Sequence, residues 1–226
     1  ALLDTSTDVR YGPQGCSIFS QEFYETDPKH EFKRGYTFHI LRGESGVDGV
    51  VQGVERRDIK FGPSFMSDYM RTRDRLAFLT IICEDLPKEK NEVYLKSNLD
   101  NDGLPVVGIR YELDDNTKQM LSHGLKNAKS LLKKAGGRRV RVAGPVSDAG
   151  WHLMGTARMG DDPETSVTSP IGEVHGASRL FVADGSLFVT SGGVNPASTI
   201  QALALFVADG SAKKYLGPGS VLNDLT

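Results

Sequence analysis

The stretch SGGVNPASTIQALALFVAD, residues 191–209, restricts the possible folds of this chain more than any other segment. Gly192 and Gly193 let the backbone turn tightly, or approach a neighbour closely, just before Asn195 and Pro196. Asparagine followed by proline is the pairing expected of an N-cap and the first helical position. The amide caps a free backbone N–H, and the N–H that proline lacks is one a helix start leaves unused. A helix is therefore expected from Pro196 to about Leu216, and its Ala, Leu and Ile content makes it apolar on most sides, hence buried. Its N-terminus offers free N–H groups and the positive end of the helix dipole to a phosphate, a carboxylate or a ring carbonyl. The same residues also describe an ordinary capped core helix, and the local pattern alone favours that plainer reading.

The remaining elements are ordered around turn chemistry. Residues 1–33 read mainly as loops, with a short strand around Ser17–Phe23, and Tyr36–Leu41 suits a buried strand. A Gly-rich run of turns or loop follows from Gly43 to Gly53. Phe65, Met66, Tyr69, Met70 and Leu76 fall at helical spacing after Pro63, which predicts a helix over Ser64–Arg75, and Leu76–Cys83 then takes strand character. Strands from Glu92 and from Val106 flank SNLDNDGLP, Ser97–Pro105, a cluster of turn formers that fits a hairpin or a longer loop. Asp114 or Asp115 is placed to cap a long helix with Met120, Leu121, Leu125, Ala128, Leu131 and Leu132 on its apolar face, stopped by Gly136-Gly137. Two more strands are expected, RVRVAG from Arg139 and a buried RLFVAD from Arg179 to Asp184. The fold class is α+β: over residues 1–150 a mixed or antiparallel sheet backed by helices, then a strand–loop–helix arrangement over 151–216, and a frayed tail at 217–226.

With 27 Lys+Arg against 29 Asp+Glu, a net charge of -2 gives no electrostatic footprint for nucleic acid or an anionic membrane. Apolar runs such as Leu76–Cys83 are too short to span a bilayer. Cys16 and Cys83 are the only cysteines and form no CxxC pair; buried thiols are expected, and nothing in the sequence supports a disulfide between them. The chain opens ALLDTSTDVR, without an initiator Met, a basic region or an apolar signal core, so the opening reads as the middle of something longer and the compartment stays unknown.

A second informative segment is WHLMGTARMG, Trp151–Gly160. By itself His152 is either a satisfied core histidine or a general base with a pKa near working pH, and spacing does not decide. Taken together, His152-x-x-Gly155-Thr156, the strand-Asp-Gly-Ser pattern at Val182–Ser186 and Gly-Val-Asn-Pro-x-x-Thr-Ile at Gly193–Ile200 resemble the C-terminal signature of the glucose–methanol–choline (GMC) oxidoreductase family. EDLPKEKNEVYL, residues 84–95, is similar to that family's substrate-domain hairpin. Asparagine rather than a second histidine at Asn195 is closest to the sugar, polyol and sterol branches.

The resemblance implies FAD-dependent oxidation of an alcohol or sugar CH–OH group. His152 would take the hydroxyl proton while hydride leaves for flavin N5, and Asn195 would hold the substrate oxygen. It further implies that Asp184 and Gly185 approach the ribityl–pyrophosphate region, and that Asn195, Pro196, Ala197 and Thr199 meet the flavin's pyrimidine edge. On this reading residues 1–150 are the substrate-binding region, residues 151–216 carry catalysis and flavin contacts, and the final strand–loop–helix belongs to the FAD domain.

The GxGxxG strand–turn–helix unit that would bind the ADP half of FAD is not found: RGESGVDG, SGGVNP and KKAGGRRV lack its spacing. The chain alone is therefore expected not to retain FAD, and to need an N-terminal FAD-binding chain or domain as partner. A fragment and one chain of a split enzyme are the two readings, with the missing start signal favouring the fragment. Two rival functions are a flavin-containing lyase on the same fold and a substrate-recognition or assembly module without turnover. Dehydrogenase against oxidase is left open. Of the other histidines, His39 is expected within a sheet, with the substrate cavity a minor alternative, His30 and His123 on surfaces, and His175 solvated. Asp161-Asp162 reads as a turn and no metal site is expected; Arg158 is either structural or a substrate contact.

Overall fold

A computed structural model describes residues 1–6, 15–42, 62–142 and 151–217. The Gly-rich stretch 43–53, the end of RVRVAG and the tail beyond Gly217 lie outside the described residues. The chain divides into two compact units, one of Ala1–Cys83 with Asp115–Ala149, the other of Glu84–Asp114 with Gly150–Thr226. A boundary thus falls at 149/150, and residues 84–114 group with the C-terminal stretch.

The first unit is a three-stranded antiparallel sheet with a long helix on it. Strand β1 (Gly15–Phe23) pairs with β2 (Tyr36–Arg42), which pairs with β3 (Thr80–Cys83). A short helix α1 (Phe65–Thr72) continues into a 3-10 turn at Arg73–Arg75. Helix α2 (Asp115–Lys134) packs on β2 and β3. The core is Phe32, Tyr36, Phe38, Met120 and Ala128, with Phe23, Leu79, Ile81 and Cys83 packed against it. Tyr36 and Met120 are fully buried, each side chain contributing about 1.5–3 kcal/mol by its removal from water. The buried stripe of α2 is Thr117, Met120, Gly124 and Ala128, and Leu131 lies exposed. Gly124 explains the offset from the leucine-centred face: a Cβ there would stand 3.1 Å from Ile81 Cγ2 and 3.4 Å from the Tyr36 ring, so the glycine lets helix and sheet close up.

Two strand expectations change here. Leu76–Cys83 is strand only from Thr80, because its first half pairs elsewhere: Leu76 bridges Leu2, and the Ala77 N–H donates to Ala1 O. RVRVAG forms no strand over its described residues; Arg138 bridges Leu2 and the chain then turns at Arg139, whose φ is +50°.

In the second unit, β4 (Glu92–Leu99) and β5 (Pro105–Arg110) form an antiparallel hairpin. Its turn is closed by Asp100 Oδ1, which accepts the N–H groups of Asp102 and Leu104, each at 2.9 Å. Val93 stands opposite Ile109 and Leu95 opposite Val107, an apolar ladder left exposed. The C-terminal stretch is built from short loops, a 3-10 turn at Gly185–Leu187 and helix α3 (Ala197–Leu216). RLFVAD is not a buried strand. Phe181 makes a single bridge to Glu173, Arg179 sits at φ +65°, and Asp184 already begins the 3-10 turn, so pairing is cut short at both ends. Nor is α3 buried on most sides: Val207, Asp209 and Ala212 are inside, while Leu205 and Phe206 are exposed. Among the described residues no helix is long and apolar enough to cross a membrane.

Candidate functional site

The segment after His152 is laid against the 3-10 turn by a run of backbone bonds. The N–H groups of Gly155, Ala157 and Met159 donate to the carbonyls of Gly185, Ser186 and Leu187 at 3.1, 2.9 and 3.0 Å. Gly185 is where three segments meet: a Cβ on it would stand 3.2 Å from Leu153 O and 3.1 Å from Ile200 Cδ1 of α3. A Cβ there fits only if its neighbours give by a few tenths of an ångström.

The consequence is a contact between residues 43 positions apart. Asn195 Nδ2 lies 3.0 Å from His152 Nε2. With the amide donating, Nε2 is the unprotonated nitrogen and the ring proton sits on Nδ1. His152 is half-buried and Asn195 exposed, flanked by the exposed Trp151 and Leu153. The pair is thus reachable by a ligand.

Asn195 is therefore not the N-cap that the sequence suggests. The cap position is Pro196, at φ -88° and ψ 0°, with no side-chain cap bond, and its carbonyl accepts the Ile200 N–H at 2.9 Å. Helix α3 begins one residue later, at Ala197, with the amide that would have capped it turned to His152. Ala197, Ser198 and Thr199 occupy an exposed first turn. Asp184 is exposed and caps the 3-10 turn, accepting from the Ser186 hydroxyl and N–H; those bonds hold its carboxyl below the ordinary value. Beside the first turns of α3 lies an apolar recess of about 250 Å³ lined by Met159, Phe188, Val189, Thr190, Thr199, Ala202 and Leu203.

The other candidates each have protein partners. His39 is buried in β2 and bonds Thr37 Oγ1 at 2.8 Å through Nε2. His123 is half-buried rather than fully on the surface: its Nδ1 lies 2.9 Å from Tyr36 Oη and its ring packs with His30, Phe32 and Phe23. His175 is likewise half-buried, with Nε2 at 3.0 Å from Ser166 Oγ and 3.2 Å from Gly160 O. Both escaped the sequence reading because their partners lie on other segments. Arg158 is exposed, its Nε donating to Thr165 O at 2.7 Å, and Asp162 closes a turn by accepting the Glu164 N–H. Among the described residues no cluster of three or more His, Cys, Asp or Glu could hold a metal ion.

One important group had no sequence signal beyond a carboxylate in a Gly-rich turn. Glu173 is buried and accepts from Lys214 Nζ and Tyr215 Oη at the end of α3 and from the Arg179 N–H. Those bonds, Lys214's foremost, hold its carboxyl at about 2.

These features define a class. The C-terminal family model of the GMC oxidoreductases matches residues 87–204, a stretch containing the hairpin, His152, Asp184, Gly185 and Asn195–Thr199, and the chain belongs to that family. It is 31% identical over 206 residues to the 2-methyl-1,2-propanediol dehydrogenase of Mycolicibacterium austroafricanum, covering 90% of this chain and 37% of that protein. Similarity extends to the paromamine 6'-oxidase of Streptomyces fradiae, 40% identical over 60% of this chain and 26% of the relative. The fructose dehydrogenase large subunit of Gluconobacter japonicus is 29% identical over 63% of this chain and 24% of the relative. The chain thus spans well under half the length of the relatives it matches. Members of the family are generally FAD-dependent.

Proposed function

We propose that this chain supplies the proton-transfer site of an FAD-dependent enzyme that oxidises a CH–OH group of a sugar, polyol or related alcohol. The observation that carries the reading is the 3.0 Å contact between Asn195 Nδ2 and His152 Nε2. Removing hydride from an alcohol carbon requires an oxygen that is becoming an alkoxide, hence a base on its proton and a neutral donor on the oxygen. The pair holds both. A substrate hydroxyl entering between the two side chains donates to the Nε2 lone pair and accepts from the Asn195 amide, replacing one hydrogen bond with two. As His152 takes the proton, Asn195 stabilises the charge left on the oxygen.

Flavin, when bound, supplies the hydride acceptor. The residues present fit it: α3 begins with no capping side chain, so the N–H groups of its first turn face outward with the positive helix end behind them. Asn195, Pro196, Ala197 and Thr199 would hold the carbonyl edge of such a ring, with Asp184 and Gly185 nearer the ribityl chain. On this reading residues 151–216 contact flavin and substrate, the final loops and helix α3 belong to a flavin domain, and residues 1–150 form the substrate-binding region. The ADP half is bound outside this chain, by an N-terminal FAD-binding domain or partner chain, without which FAD is not retained. The 2-methyl-1,2-propanediol, paromamine and fructose in the names of the relatives support a substrate with several hydroxyl groups.

The test is anaerobic bleaching of flavin by candidate alcohols in the full-length protein. His152→Ala is expected to slow it roughly 10²–10⁴-fold with flavin content unchanged. Bleaching at the wild-type rate would remove His152 from the mechanism. Flavin that no alcohol bleaches would favour the lyase, and no flavin under any condition would leave a recognition or assembly module.

A further inference from the structure

We propose that Ser191 is a positioning residue, fixing the Asn195 side of the pair by tying its loop to the base of the β4–β5 hairpin. The inference rests on the reading of His152 and Asn195 as the proton-transfer pair. The two sides of that pair are anchored differently. His152 is followed by the three backbone bonds onto residues 185–187. Asn195 is preceded by a loop that includes Gly192 and Gly193, residues whose backbone freedom leaves the position of a following side chain poorly defined unless the loop is tied.

A long-range tie on this loop is the Ser191 hydroxyl, which donates to Asp85 O at 2.5 Å across 106 residues of sequence. Ser191 stands immediately before the glycine pair and is half-buried. Its acceptor is rigid. The Asp85 carboxylate accepts the Tyr111 hydroxyl. Asn91 clasps the backbone of Glu112 from both ends of its amide, accepting its N–H at 2.9 Å and donating to its carbonyl at 3.2 Å. Lys88 pairs with Asp114 at 2.9 Å. Pro87 restricts the residue before it, so Asp85 precedes a stiffened Leu86-Pro87 step. The carbonyl therefore belongs to a stapled segment, and the loop inherits its position. Since Asn195 is exposed, the backbone position of its loop largely decides whether its amide meets His152. The hairpin base thereby acts on the chemistry without touching substrate.

The test uses the full-length, flavin-loaded protein with Ser191→Ala and Ser191→Thr, reading two quantities. One is the limiting rate of anaerobic flavin reduction by an alcohol, separated from the alcohol's Kd. The other is the set of ring-nitrogen NMR shifts of His152 at fixed pH, which report its hydrogen bonding and need no turnover. Ser191→Ala is expected to lower the limiting rate about tenfold, with Kd within about twofold, and to displace the His152 ring-nitrogen shifts as the Asn195 contact loosens. Ser191→Thr, which keeps the hydroxyl, restores both. Should Ser191→Ala not hold flavin, Ser191→Cys keeps the side-chain size with a weak donor and is read the same way. An unchanged rate and unchanged His152 ring-nitrogen shifts overturn the proposal. If His152→Ala is inactive while Ser191→Ala is silent, the positioning role alone fails; if His152→Ala reduces flavin normally, the reading beneath it fails.

Discussion

The two compact units are held together by different physics. The first is organised by side chains: Tyr36, Phe38 and Phe32 from strand and loop meet Met120 and Ala128 of α2 in one apolar cluster. The second buries little apolar surface among its described residues, with Leu187, Val207 and Ala212 its buried hydrophobics. What joins its loops is backbone bonding onto the 3-10 turn, close approaches at glycines, and the carboxylate of Glu173. The second unit also carries His152 and Asn195. A core of that size contributes less to global stability.

The largest expected effect follows from the first unit. Met120→Ala removes a fully buried side chain and should destabilise the unit by about 2–5 kcal/mol, seen as lost amide protection over β2, β3 and α2. Protection retained there would show that the sheet is held by something other than this cluster. Next comes a backbone test in the second unit. Gly172 has φ +77°, and a Cβ on it would stand 2.6 Å from Val182 O and 2.9 Å from Val207 Cγ2. Gly172→Ala should cost about 2–4 kcal/mol from left-handed strain and overpacking, with lost protection confined to residues 171–182 and α3.

Acid separates the units by pH window. Burial, then the neighbouring His30 and Lys126, hold His123 below its ordinary 6.5. The unfolded chain then binds the proton more readily, so this contribution is full above about 6.5 and is lost as pH falls through the depressed folded value. Glu173 is depressed from 4.5 to about 2, so its contribution is present above 4.5 and lost as pH falls through about 2. On acidification, exchange protection should weaken around His123 before it weakens at the end of α3; the reverse order would invert the comparison. The smallest change is Tyr215→Phe. It removes one donor to Glu173, leaving Lys214 and the Arg179 N–H, so the carboxyl titration should move up towards its ordinary value with the fold intact, followed by carboxyl-carbon NMR.

Much of this was legible where the signal is local. Asp100, Asp102 and Gly103 mark the hairpin turn, and the periodic apolar residues of 115–134 mark α2. Tyr36–Leu41 reads as a strand from its apolar, aromatic and β-branched run, and Tyr36, Thr37, Phe38 and His39 are all buried. The misreadings arise where the outcome depends on neighbours that the local pattern does not name. Asn195 has the chemistry of an N-cap, and only the fold shows its amide spent on His152. RLFVAD has strand composition, yet a strand needs neighbours, and Phe181 finds a single bridge. The apolar residues of α3 predict burial without saying what covers them, and Leu205 and Phe206 stay exposed. Within the site, His152 and Asn195 are named by sequence pattern and joined by structure, whereas Ser191 and Glu173 act through contacts that no local pattern encodes.

The central claim is that His152 and Asn195 act as one unit on a substrate hydroxyl. A double-mutant cycle of His152→Ala and Asn195→Ala on the rate of anaerobic flavin reduction in the full-length protein tests it directly. The account predicts strong non-additivity: each single variant loses roughly 10²-fold or more, and the double variant is little slower than the worse single one. Losses that multiply, with the double variant slowed by the product of the two, would contradict it by showing that the residues act independently.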